Sequence, residues 1–161
     1  MLQVQLKEKS KDGQDDLLKR IRNLEKKKGE AGWIDSQNHA SGYSTAELAY
    51  ILEYGGEDSS GKAFAPFSFV TISTLDAPSD SRLTGIIKKG LPNYLKGSNY
   101  VDPFMRELAM YFAREIVDTM GDPSKLRSNL PATVASKGGR NTPTVDTGEL
   151  QAKVRTRVVG R

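Results

Sequence analysis

Cysteine is absent from the 161-residue chain and histidine occurs once. Without thiols there is no disulfide framework, no thiolate metal site and no cysteine nucleophile. One histidine without cysteine also leaves zinc short of ligands. Aromatic residues make up 7% and hydrophobic residues 37%, a composition that suits a modest core with much loop or interface surface. No apolar run approaches the roughly 18 residues that a spanning helix needs. The N-terminal MLQVQLKEKS lacks the apolar centre of a signal peptide. The chain is therefore expected to be soluble, made in the cytoplasm and without a membrane partner. Its length fits one domain over residues 1–161 with a real core.

Charge is present in both signs but unevenly spread. Residues 1–30 carry 9 basic and 6 acidic groups, residues 31–123 carry 7 and 12, and residues 124–161 carry 8 and 2. An acidic middle and a basic C-terminal quarter suit an oriented assembly or an acidic neighbour, with a solvated surface as the plain alternative.

Periodicity outlines the elements. Leu2, Val4 and Leu6 alternate as in a strand over residues 2–7. Asp12 is placed to cap a helix over 14–28, whose Leu17, Leu18, Ile21 and Leu24 fall at helical spacing. Lys26, Lys27 and Lys28 then suit its negative end and Gly29 its stop. A second strand is expected over 31–36. Ser44 and Glu47 form a capping-box pattern ahead of TAELAYILEY, with Gly55 as the stop. Residues 55–63 read as a loop, APFSFVTIST as extended, 80–89 as a short helix and 90–101 as irregular. The clearest helix is 103–120, with Asp102 as cap, Pro103 at the first position and Phe104, Leu108, Phe112 and Ile116 as a core stripe. Residues 121–143 read as a long loop or arm. The chain closes on a strand in which Lys153, Arg155 and Arg157 share one face and Val154, Thr156 and Val158 the other. The sum is an α+β fold with a small, mostly antiparallel sheet, one long helix and two or three short ones.

Patterns for catalysis are thin. His39 stands in a turn-like stretch without a nucleophile-elbow sequence. EDSSG at 57–61 has too few spaced oxygens for a calcium loop, and SKGGR at 136–140 lacks the setting of a phosphate loop. Asp146-Thr147-Gly148 has the letters of an aspartic protease site, but only 13 residues follow it to build a pocket. The plainer reading has Asp146 capping a short turn, Glu149 three residues on and Leu150 anchoring that turn in the core. No catalytic, cofactor-binding or metal residue is assigned. Trp33 reads as core. Phe64, Phe67 and Phe69 read as a buried edge strand or an intersubunit anchor, with base stacking as a third option.

Taken in order, three segments form a larger pattern. LAYILEYGG holds Leu52, Glu53, Tyr54 and Gly55; a glycine loop follows, then Ala65, Pro66 and Phe67. Beyond the long helix come Thr133, Lys137, Gly138, Pro143, Asp146, Thr147, Gly148 and Leu150, and then the final strand. Across roughly residues 31–158 this resembles the tail-completion, or neck, family of tailed-bacteriophage virion proteins, related to the virion-morphogenesis proteins of prophages. Asp-Thr-Gly-x-Leu after a Lys-Gly loop is its most specific part. Leu52 stands where that family often has histidine, Ala65 where it often has arginine, and Ser68 where a bulky side chain is expected after Phe67.

The resemblance implies a non-enzymatic structural protein with no cofactor. It implies a homomeric ring, hexameric as a rule, that completes the tail or joins it to the head. Its partners would be copies of itself and the neighbouring neck, connector and tail-tube proteins, and its location the virion. A tail-terminator ring and a head-completion adaptor are neighbouring roles. Loops 55–63 and 121–143 would order against neighbours in such a ring. The basic face of Lys153, Arg155 and Arg157 would dock an acidic ring or line a channel that passes DNA. A basic nucleic-acid-binding module is the rival from another class, and a small hydrolase resting on Asp146 and His39 a weaker one.

Overall fold

The computed structural model describes residues 11–34, 38–39, 41–57, 61–75, 77–97 and 100–160, with backbone alone at Lys11 and Asp12. The strand expected over 2–7 lies outside these residues. In chain order the elements are α1 (Lys11–Glu25), β1 (Lys27–Gly32), α2 (Thr45–Tyr54), β2 (Gly56–Glu57), β3 (Ala63–Phe64) and α3 (Phe69–Leu75). A short 3-10 turn (Ala77–Ser79) leads into α4 (Ser81–Lys96), α5 (Val101–Thr119), α6 (Pro131–Ser136), α7 (Glu149–Ala152) and β4 (Arg155–Gly160). The fold is α+β, with helices in the majority and small antiparallel sheets, as the patterning leads one to expect.

Helix α5 is the centre. Phe104, Tyr111, Ile116 and Met120 are buried along its stripe, with Leu108 and Phe112 half-buried. Strands β1 and β4 lie against it as an antiparallel pair, Gly29 opposite Val158 and Ala31 opposite Thr156. Gly29 allows this approach: a Cβ there would stand 2.6 Å from the Met105 carbonyl oxygen and 3.3 Å from the Ala109 Cβ. Gly29 is therefore a strand residue, not a helix stop, and Lys27 and Lys28 belong to β1 rather than to the end of α1. Asp12 lies inside α1 instead of ahead of it, and Leu18 and Ile21 are exposed.

Three further expectations are corrected. The helix of 80–89 runs on to Lys96, through Gly90 and Pro92. Gly90 lies under Phe104, whose Cδ2 would be 2.2 Å from an added Cβ, and the buried Tyr94 donates its hydroxyl to the Arg20 carbonyl at 2.5 Å. Tertiary packing overrides the local breakers. The long helix starts at Val101 behind Tyr100, so Asp102 is not its cap; its carboxylate pairs with Lys27 at 3.0 Å and ties α5 to β1. Residues 121–143 hold α6 and a set of bonded turns rather than an open arm.

A charged cluster joins α4 to α5. Asp80 caps α4 by accepting from the Arg82 N–H at 2.7 Å, and Arg82 also pairs with the buried Glu115 at 2.8 Å. The Arg82 guanidinium beside Asp80 is the main cause of a carboxyl pKa held down to about 2. Burial, then the Asp80 carboxylate that its hydroxyl contacts at 3.0 Å, push the Tyr111 phenol up to about 12. Among the described residues no helix is long and apolar enough to cross a membrane.

Candidate functional site

The site begins with α2. Its capping box forms as read: Ser44 N–H donates to the Glu47 carboxylate at 2.8 Å, and Glu47 N–H to the Ser44 hydroxyl at 3.2 Å. The Ser44 hydroxyl and N–H hold the Glu47 carboxyl below its ordinary pKa. The helix ends at Gly55 with φ of 86°, where a Cβ would meet the Phe64 carbonyl oxygen at 2.8 Å. Only glycine both adopts that angle freely and lets the two backbones meet. The hairpin β2–β3 returns the chain alongside α2, so the segment read as a loop carries a short sheet.

The segment after the hairpin then doubles back on the end of α2. Phe67 N–H donates to the Leu52 carbonyl at 2.9 Å and Ser68 N–H to the Glu53 carbonyl at 3.2 Å. At Ser68 the backbone turns left-handed, φ 54°, and α3 begins. Glu53, itself buried, takes the first N–H groups of α3: Val70 at 2.8 Å and Thr71 at 3.0 Å, with the Thr71 hydroxyl at 2.6 Å. A carboxylate is well placed at a helix N-terminus, and charge-assisted bonds offset its burial. This is why FVTIST is helical and not extended. Only Phe64 of the three phenylalanines is in a strand; Phe67 is half-buried and Phe69 fully buried in α3. Trp33 is core as expected, edge-on to Phe69 at 5.7 Å, with its indole N–H donated to the Leu150 carbonyl at 2.8 Å. Strand β1 stops at Gly32, short of it.

The C-terminal segment closes the other side. Arg127 lies 3.8 Å over the Phe67 ring and donates to the Ala65 and Pro66 carbonyls at 2.5 and 3.1 Å. Lys137 donates to the Thr142 and Val145 carbonyls at 3.1 and 2.6 Å, gathering the turn that leads to Asp146. Gly138 sits in a left-handed turn with φ of 64°. Leu150 is buried beneath, and Gln151 ties α7 to the end of α5 through the Val117 and Met120 carbonyls. The cap expected of Asp146 is not made: Gly148, with φ of 81°, holds the cap position and the Thr147 hydroxyl accepts from Glu149 N–H at 3.3 Å. Asp146 is exposed.

Between the two sides lies a mostly apolar cleft of about 410 Å³. Leu48, Leu52 and Phe67 form one wall; Val145 and Leu150 form the other, with Leu130 at the mouth. Of the motif residues, Leu52, Phe67, Thr133, Lys137, Asp146, Thr147, Gly148 and Leu150 line it, while Glu53 and Gly55 set the wall from behind. Tyr54 points out, its ring tilted against that of Tyr50 with centroids 4.7 Å apart. His39 reaches Glu149 at 3.4 Å across the cleft rim, a partner the isolated sequence gave no sign of.

The final strand differs from its reading. Lys153 precedes β4 at the end of α7, and Arg155 folds onto the Ala152 and Val154 carbonyls at 2.7 and 2.9 Å. Arg157 pairs with Glu30 at 2.8 Å, and Glu30 also holds Lys28 at 3.1 Å. Arg155 and Arg157 share the exposed face of β4, while Thr156 and Val158 are half-buried on the α5 side as expected. Comparison of the chain with protein-family models, with curated proteins and with solved structures yields no match.

Proposed function

We propose that this chain is a non-enzymatic virion protein of a tailed bacteriophage, a subunit of the homomeric ring that completes the tail or joins it to the head. The observation that carries the reading is the convergence of its three motif segments on one cleft. Glu53, Gly55, Lys137 and Gly148 are used on backbone: capping a helix, letting strands meet, gathering a turn. Such residues give shape to a surface, which is what a ring subunit needs. Tail-terminator and head-completion rings are neighbouring roles of the same kind. The basic nucleic-acid module draws less support, because Arg157 is paired with Glu30 and Arg155 is turned onto carbonyls. The protein would be made in the host cytoplasm and reside in the virion, against copies of itself and neck, connector and tail-tube proteins.

Light scattering of the purified protein, alone and mixed with tail tubes, tests this. A ring-sized mass, or one that arises on tails, is expected. A strict monomer that binds neither tails nor heads contradicts it.

A further inference from the structure

Helix α2 carries two different apolar surfaces on opposite faces. Leu48 and Leu52 point into the cleft. Tyr50 and Tyr54, two positions further on and so about half a turn around the helix, point away from it. They are 66% and 65% exposed and touch each other with their rings tilted by 48°. Tyr43, Ala46 and Ile51 extend this outer surface. Large exposed aromatics in a chain this poor in them mark a contact surface.

We propose that the Tyr50–Tyr54 pair of one copy seats in the cleft of the next, with Leu130 closing over it. The proposal rests on the ring reading and names the contact that would build the ring. Two observations select a second copy as the occupant. The first is charge. On the cleft side Arg127 is held by carbonyls and the Phe67 ring and Lys137 by carbonyls, with no carboxylate in ion-pair reach among the described residues. The acids of the rim are Asp146, which is exposed, and Glu149, which is already turned to His39. On the aromatic side Glu47 is exposed beside Tyr50, held by Ser44 and by no cation among the described residues. Seating the aromatic pair brings this carboxylate toward the cationic wall. The second is geometry. Donor and acceptor surfaces on opposite faces of one helix cannot both be satisfied between the same two copies. Each contact leaves one free surface at either end, so the contacts propagate, and a rotation per copy that divides a full turn closes them as a ring. Paired tyrosines in an apolar pocket are also the composition of an interface hot spot.

The absence of native cysteine makes the test clean. Chains carrying Tyr54→Cys, Leu130→Cys or both are treated with a short bis-maleimide. The doubly substituted chain should give a ladder of linked species that ends at the ring number. Each single variant alone should stay unlinked, and their mixture should stop at the dimer. Linking of Tyr54→Cys to itself would mean a two-fold contact and overturn the proposal. So would an unlinked double variant together with a Tyr50→Ser/Tyr54→Ser chain that keeps the wild-type mass; in that case rings on tails would still leave the ring reading standing. A ladder without any association with tails or heads would keep this contact and sink the tail-completion and head-joining reading instead.

Discussion

Glu53 links two helices through one side chain. Its carboxylate is buried and fully used by Val70, Thr71 and the Thr71 hydroxyl, so one residue at the end of α2 fixes where α3 starts and how Phe67 faces the cleft. Glu53→Ala leaves two backbone N–H groups and a hydroxyl without their acceptor, and is expected to cost about 1–3 kcal/mol by the scale of lost caps and charged hydrogen bonds. Glu53→Gln, which keeps an acceptor, should cost less. Denaturant melts of the two variants order them. At Asp146 the opposite holds. With no cap bond to lose, Asp146→Ala should leave the unfolding free energy within the scatter of surface substitutions, about 0.5 kcal/mol. A drop well beyond that would mean that Asp146 holds the turn after all.

At the scale of elements, close approaches decide the arrangement. Gly29→Ala forces an atom against the Met105 carbonyl, and Gly90→Ala one against the Phe104 ring. Each should destabilise by about 1–3 kcal/mol, the usual cost of overpacking, even though alanine favours helix at position 90. The α4–α5 junction responds to pH. Asp80 has its folded pKa held at about 2, below the ordinary 3.8, so the stability it contributes is present above that ordinary value and is lost as pH falls toward 2. Asp80→Asn should flatten the acid limb of a melting-temperature profile between about pH 4 and pH 2.

The same scale explains what the sequence made legible. Helices with local signals were readable: the Ser44 box and Gly55 bound α2, and the spaced apolar stripe marks α5. Elements set by distant residues were not. FVTIST is β-prone by composition and becomes helical only because Glu53, seventeen residues earlier, accepts its N–H groups. Residues 90–96 contain two breakers and stay helical because Phe104 and Arg20 receive Gly90 and Tyr94. Within the site, motif order pointed to Phe67, Lys137, Gly148 and Leu150, all of which reach the cleft. Arg127 and His39 lie outside any local pattern, and only the folding of 121–150 against 64–67 brings them there.

For the whole molecule, a central helix backed by a two-stranded sheet leaves the cleft and the aromatic pair on opposite faces of α2. The chain would thus be a repeating unit whose polar, bonded loops fix the shape of what the next copy meets. The low aromatic content agrees with this, since part of what aromatics there are faces outward at Tyr43, Tyr50 and Tyr54. The most direct measurement is an averaged electron-microscope reconstruction of the intact phage particles in which the proposal places this chain, with the chain located by its density. The account predicts one ring of it at the head-proximal end of the tail, with Tyr50 and Tyr54 of each copy in the cleft of its neighbour. Particles that are complete and infectious with no copy of the chain in the neck or tail would contradict it.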